Sequence, residues 1–152
     1  MHAELSHTYP VPLEQGFDYV ADFHNWPSWY VGMSEILEPE QASWRDPGDE
    51  VRFRYSVLGR QVEGVAILED RTPAEMARFR TEVPGLPVFH FTYHYSRIGR
   101  DSFELNVTMD TDEPTTLFGR AVDRTLLPRT VERDVERSLE NLEDIFGAGL
   151  LG

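Results

Sequence analysis

The stretch VFHFTYHYSR, residues 88–97, sets an aromatic ring at every second position: Phe89, Phe91, Tyr93 and Tyr95. Two of the four carry phenols, which can donate a hydrogen bond to a carbonyl and which need a partner when buried. Tyr30 and Tyr55 offer the same chemistry elsewhere in the chain. His7 alternates with Leu5 and Tyr9, so it is either a core histidine satisfied by a carboxylate or carbonyl, or a pocket acid or base. Tyr30, Tyr55, Tyr93, Tyr95 and His7 are therefore the candidate catalytic groups, the phenols to polarise carbonyls and the imidazole to move a proton. Other chemistries find no support. The chain has no cysteine, hence no disulfide, thiolate zinc site or cysteine nucleophile. His90 and His94 are four apart, which in a strand means roughly 13 Å, too far to share a zinc with bonds of about 2 Å. No metal and no cofactor are expected. The chain contains no G-x-S-x-G, no phosphate-binding glycine loop of the G-x-x-x-x-G-K type and no H-E-x-x-H.

The elements that must position these groups follow from periodicity. Residues 2–9 alternate as a half-buried strand, and Leu13, Phe17, Val20 and Ala21 then recur at helical spacing behind Pro12. NWPSWY reads as a second short helix, with Asp22 and Asn25 as caps. Strand-like runs follow at 33–38, 50–58, 61–70, 75–83, 88–98 and 102–110, separated by RDPGD, LGR, RTPAE, VPGLP and IGRD. Connections this short favour an antiparallel meander. Val131, Val135, Leu139, Leu142 and Phe146 mark a long C-terminal helix. Leu117, Phe118, Ala121 and Val122 predict that it starts near Thr116 and that Pro128 kinks or splits it.

The order strand, two short helices, six strands, long helix resembles the helix-grip fold of the START-like superfamily, often called SRPBCC. That superfamily includes polyketide cyclases and dehydrases, coenzyme Q-binding proteins and lipid-transfer domains. The local resemblance lies in YPVPLEQGFDYVADFHNWPSWYVGMSEIL, residues 9–37, and element order extends it over the chain. The resemblance implies an α+β domain spanning 1–152, with a curved seven-stranded antiparallel sheet wrapped around the C-terminal helix and an apolar cavity between them.

Alternation assigns the faces. Val51, Phe53, Tyr55 and Val57 share one side of their strand; Val62, Gly64, Ala66 and Leu68 share one side of the next; Phe103, Leu105, Val107 and Met109 do so on the last. Arg52, Arg54, Arg78 and Arg80 fall toward solvent, a departure from aromatase-type relatives, which generally place an arginine in the cavity. The ring row is either ordinary core or the wall of a ligand cavity. On the second reading the ligand-binding set is Trp26, Trp29 and Tyr30 from the short helices; Phe53, Tyr55, Gly64 and Ala66 from the middle strands; Phe89, Phe91, Tyr93 and Tyr95; and Phe103, Leu105 and Val107. Gly64 and Ala66 would create the room, although Gly64 could equally relieve sheet curvature.

The 27 acidic and 14 basic residues give a net charge of −13, which disfavours nucleic acid and anionic membrane surfaces. No apolar run approaches the roughly 20 residues of a membrane span, and the amino terminus lacks the basic patch and apolar run of a secretion signal, so no integral membrane association and a cytoplasmic location are expected. The expected partner is a hydrophobic small molecule, and a homodimer is compatible with the sequence. Two functions follow: binding of an aromatic or polycyclic molecule such as a polyketide, quinone or lipid, or cyclisation and dehydration of a polyketide in the same cavity.

Overall fold

The computed structural model describes residues 1–148. Strand β1 (His2–Tyr9) leads through the proline turn into helix α1 (Leu13–Ala21). The single turn Phe23–Asn25, capped by the Asp22 carboxylate on the His24 N–H, and the short helix α2 (Trp26–Trp29) follow. Strands β2 (Met33–Ile36), β3 (Glu50–Val57), β4 (Arg60–Thr72), β5 (Met76–Glu82), β6 (Phe89–Gly99) and β7 (Ser102–Thr111) complete a seven-stranded antiparallel sheet in the order β1-β7-β6-β5-β4-β3-β2. A small hairpin, β8 (Thr116–Leu117) and β9 (Arg120–Ala121), precedes helix α3 (Leu126–Gly147). This is the helix-grip arrangement: the meander curls so that its apolar face wraps α3, whose Leu127, Val131, Val135, Leu139, Leu142 and Phe146 are all buried.

Two expectations for the C-terminal part are corrected. Residues 116–121 form a hairpin, because Phe118 (φ 53°) and Gly119 (φ 79°) supply the two positive φ angles of a type I′ turn. The helix begins ten residues beyond Thr116, at Leu126. Pro128 is then its third residue, where no intrahelical donor is needed, so it neither kinks nor splits the helix.

The outer face of the sheet carries the charge as alternation implies. Arg52 pairs with Glu38, Arg54 with Glu35 and Glu63, Arg78 with Asp70, and Arg80 with Glu69 and Glu82. No helix among the described residues is long and apolar enough to cross a membrane.

Candidate functional site

Helix and sheet do not meet along their whole length. Below the first half of α3 lies a cavity in which the centre of a water-sized sphere can range over about 90 Å³, several times the roughly 10–15 Å³ that one water needs. Strand β6 supplies Phe89, Phe91, Tyr93 and Tyr95, and β5 supplies Ala77, Phe79 and Thr81. The register explains this wall: Phe91 faces Phe79, Tyr93 faces Ala77 and Phe89 faces Thr81 across the β5–β6 ladder. Phe79 and Phe91 stack at 5.2 Å, and Trp44 meets both Trp26 and Phe79 edge to face. Phe53, Tyr55, Val57 and Ala66 form one side, Trp26, Trp29 and Tyr30 another, and Leu127 with Val131 the roof. All three tryptophans of the chain therefore border the cavity.

The polar groups here are mostly donors. The Tyr55 hydroxyl donates to Asp134 Oδ2 on α3 at 2.5 Å. Among the described residues, the hydroxyls of Tyr30, Tyr93 and Tyr95 have no protein hydrogen-bond partner. Burial pushes all four phenols well above the ordinary tyrosine value, so each stays protonated at neutral pH. The Trp29 indole N–H is buried without an acceptor, whereas that of Trp26 donates to the Val20 carbonyl at 3.0 Å. The lining contains no carboxylate and no histidine among the described residues. Burial also raises the Asp134 carboxyl above the usual aspartate range, against the lowering effects of the Tyr55 hydrogen bond and of Arg137 and Arg133.

One guanidinium does reach the cavity. Strand β4 shifts register between Leu68 and Asp70, a one-residue bulge that reverses the alternation beyond it. Arg71, which parity alone would send to solvent, is thereby paired with Ala77 and lines the apolar space. Its guanidinium bonds to the Trp44 carbonyl and lies 5.2 Å above the Phe17 ring. It has no carboxylate within ion-pair distance among the described residues, and burial lowers its pKa. Arg71, Trp44 and Ala21 also border a second, polar recess lined by Asp18, Asp22, His24, Glu40 and Arg45, so Arg71 stands where the two spaces adjoin.

Of the sequence-derived candidates, Trp26, Trp29, Tyr30, Phe53, Tyr55, Ala66, Phe89, Phe91, Tyr93 and Tyr95 converge on this cavity. Five residues do not. A Cβ on Gly64 would lie 2.7 Å from Val83 Cγ2 and 2.9 Å from Phe53 Cζ, so the room a glycine leaves is already occupied. Phe103, Leu105 and Val107 are fully buried on β7 in the packed part of the core, with Phe103 against Tyr9 and Phe146. His7 does share the inner side with Tyr9, yet it sits at the rim beside Glu143 of α3 at 3.7 Å, outside the cavity lining. Arg71 and Trp44 are the residues that alternation missed: strand β4 runs on to Thr72, past the 61–70 expected from the sequence, and so takes in Arg71 from the RTPAE segment.

The family model described as polyketide cyclase/dehydrase and lipid transport matches residues 1–147. No curated protein sequence matches the chain. Among solved structures, the chain is similar to the ZhuI aromatase/cyclase from Streptomyces sp. R1128, with TM-score 0.78 and 19% identity over 95% of this chain and 92% of that one. It is similar to a START superfamily protein from Mycobacterium smegmatis, with TM-score 0.76 and 12% identity over 97% of each chain. It also matches part of the di-domain aromatase/cyclase StfQ of the steffimycin biosynthetic pathway, with TM-score 0.69 and 19% identity over 95% of this chain and 44% of that one. At these identities the likeness concerns the fold.

Proposed function

The chain belongs to the polyketide cyclase/dehydrase and lipid transport family, and from that premise we propose that it binds an aromatic or polycyclic, oxygen-bearing small molecule of polyketide type between sheet and helix. The observation that carries this reading is the combination of an aromatic-walled void with available donors: the unpartnered Tyr30, Tyr93 and Tyr95 hydroxyls and the Arg71 guanidinium, which bonds to the Trp44 carbonyl but has no carboxylate partner among the described residues. A flat ring system suits the walls, and carbonyl, enol or carboxylate oxygens suit the donors. Burying ~300 Å² of apolar ligand surface at ~25 cal/mol per Å² offers ~7.5 kcal/mol before association entropy, which is compatible with micromolar binding.

Cyclisation and dehydration in the same cavity is the second reading, and Arg71 favours it. An intramolecular aldol closure needs a polarised carbonyl and a proton removed from carbon. Arg71 and the neutral phenols can serve the first need by stabilising the developing enolate oxygen. For the second, the lining itself offers no carboxylate among the described residues, and Asp134 connects to it through the Tyr55 hydroxyl. Binding therefore leads, and catalysis would depend on that dyad or on the substrate's own acidic protons.

Because Trp26, Trp29 and Trp44 all border the cavity, a hydroxylated anthraquinone should quench tryptophan fluorescence saturably at micromolar concentration. Loss of one charge-assisted hydrogen bond in Arg71→Gln should weaken that binding by about 10- to 100-fold, while anthracene, which carries no oxygen, keeps its affinity. Absence of saturable quenching by any polycycle would remove the binding reading.

A further inference from the structure

We propose that one end of the molecule docks on an anionic lipid surface and that the cavity's ligand passes through that end; this rests on the cavity being a ligand site. The meander gathers four segments there: the β3–β4 turn, the β5–β6 connection at 83–88, the β8–β9 hairpin and the first turn of α3. They are joined to one another. The Arg60 guanidinium lies 4.3 Å over the Phe118 ring, and the Phe118 N–H donates to the Gly85 carbonyl at 3.4 Å. The same segments close the cavity, through Val57, Leu86, Pro87 and Leu127.

Charge distinguishes this end from the rest of the chain. Residues 57–60, 83–88 and 112–130 carry four arginines, Arg60, Arg120, Arg124 and Arg129, against three carboxylates, Asp112, Glu113 and Asp123: 4 − 3 = +1. The remainder carries 10 basic and 24 acidic residues, so −14 there and +1 here make up the −13 of the whole. On the outer face of the sheet Arg52, Arg54, Arg78 and Arg80 are all ion-paired; here Arg124 is held by Glu113, but Arg60, Arg120 and Arg129 have no carboxylate partner among the described residues. Every basic residue in the chain is an arginine, the side chain whose planar fork matches phosphate oxygens. Net charge had argued against anionic surfaces, but it averages over distances beyond the Debye length of about 8 Å, and a docked end feels chiefly its own charges.

Apolar exposure coincides with that charge. Of the four exposed large hydrophobic residues among those described, Leu58, Val88 and Leu126 belong to this end, and only Ile98 lies at the other. Leu58 holds φ 51° and Phe118 φ 53° at the tips of their hairpins, positions where glycine or asparagine would be unstrained. Both tips thus keep a bulky apolar side chain at a conformational cost. Leucine and valine flanked by unpaired arginines suit shallow insertion beneath phosphate headgroups. A bilayer is also where a poorly soluble ligand is stored.

The test is flotation with phosphatidylcholine vesicles and with mixed phosphatidylcholine–phosphatidylglycerol vesicles, together with pyrene transfer from each and pyrene uptake from aqueous solution. Binding and transfer should require phosphatidylglycerol and weaken with salt. Arg120→Glu with Arg129→Glu should reduce them at least about tenfold, and Leu126→Ser should reduce them less, with aqueous uptake unchanged in both variants. Binding that ignores phosphatidylglycerol, or survives the double charge reversal, would overturn the docking proposal. So would protection of Arg120 and Arg129 from phenylglyoxal by polyglutamate but not by the anionic vesicles, which would point to an acidic protein instead. A protein that floats with anionic vesicles but takes up no pyrene from water would overturn the ligand reading and leave the docking intact.

Discussion

The two halves of α3 cover the same sheet with opposite results. Beneath residues 138–146 the space is full: the Tyr9 ring lies between Phe103 and Phe146, and its hydroxyl donates to the Leu139 carbonyl at 2.9 Å. There the helix is also tied by polar contacts, with the buried Ser138 hydroxyl accepting from the Val31 N–H at 2.8 Å and Asn141 donating to the Trp29 carbonyl at 3.1 Å. Beneath Leu127 and Val131 the sheet supplies as many rings, yet a void remains. The difference lies in what descends from the helix side. In the full half α1 brings Gly16 so close that a Cβ would sit 2.1 Å from Phe103 Cε1. In the hollow half α3 presents Leu127 and Val131 to a floor that includes the small Ala66 and Ala77. Identical alternation along the strands thus yields stability in one place and a site in the other.

The largest effect should come from deleting a ring on each side of that divide. Phe103→Ala removes a side chain with no exposed surface and should lower the unfolding free energy by about 3–5 kcal/mol, leaving ligand affinity of the folded fraction unchanged. Phe91→Ala removes a ring that already lacks neighbours on its cavity side, so it should cost roughly half as much and weaken anthraquinone binding. Urea unfolding and fluorescence titration on the two variants read both quantities. Equal stability losses with equal affinities would mean that the halves are not distinct.

Adding volume should discriminate in the opposite sense and with a smaller energy. Ala66→Phe points a ring into the void and should change stability by less than about 1 kcal/mol while abolishing saturable quenching. Val107→Phe adds the same kind of bulk to the packed half and should cost about 1–3 kcal/mol with binding retained. Quenching that survives Ala66→Phe would place the ligand elsewhere.

What the sequence could and could not disclose follows the same divide. Strand alternation suffices to place Phe53, Tyr55 and the ring row of β6 on the inner face, because one wet face enforces the period. It cannot say whether an inward ring meets another ring or empty space, since that depends on which element arrives opposite; hence Phe103, Leu105 and Val107 were grouped with the cavity although they are core. It also cannot survive a bulge. One extra residue near Asp70 sets Arg71, which the sequence leaves in the RTPAE turn, on the inner face opposite Ala77, and so brings a guanidinium into the site. The segment 116–122 was misread for a related reason: the apolar pattern of Leu117, Phe118, Ala121 and Val122 fits a helix, and a phenylalanine at positive φ gives no warning of a turn.

The smallest effect, and the finest probe of the boundary between the halves, is the pH response of Asp134, which lies on α3 between Val131 of the cavity roof and Ser138 of the packed half. Burial holds its folded carboxyl above the ordinary 3.8, with the Tyr55 hydrogen bond, Arg137 and Arg133 opposing. The folded state therefore keeps a proton that the unfolded chain releases first. The stability this contributes is fully present below pH 3.8, declines as pH rises, and is lost once the folded carboxyl ionises at its raised value. Asp134→Asn cannot ionise but can still accept from Tyr55, so its stability relative to the parent should rise across that window and level off above it. Tyr55→Phe, which removes a hydrogen bond that favours the ionised carboxylate, should move the levelling point to higher pH. A parent-minus-variant difference that is flat with pH would show that Asp134 is solvated rather than held in the wall. Ligand occupancy sharpens the test: filling the cavity desolvates Tyr55 and its partner further, so saturating anthraquinone should shift the window upward in the parent and leave Asp134→Asn unmoved.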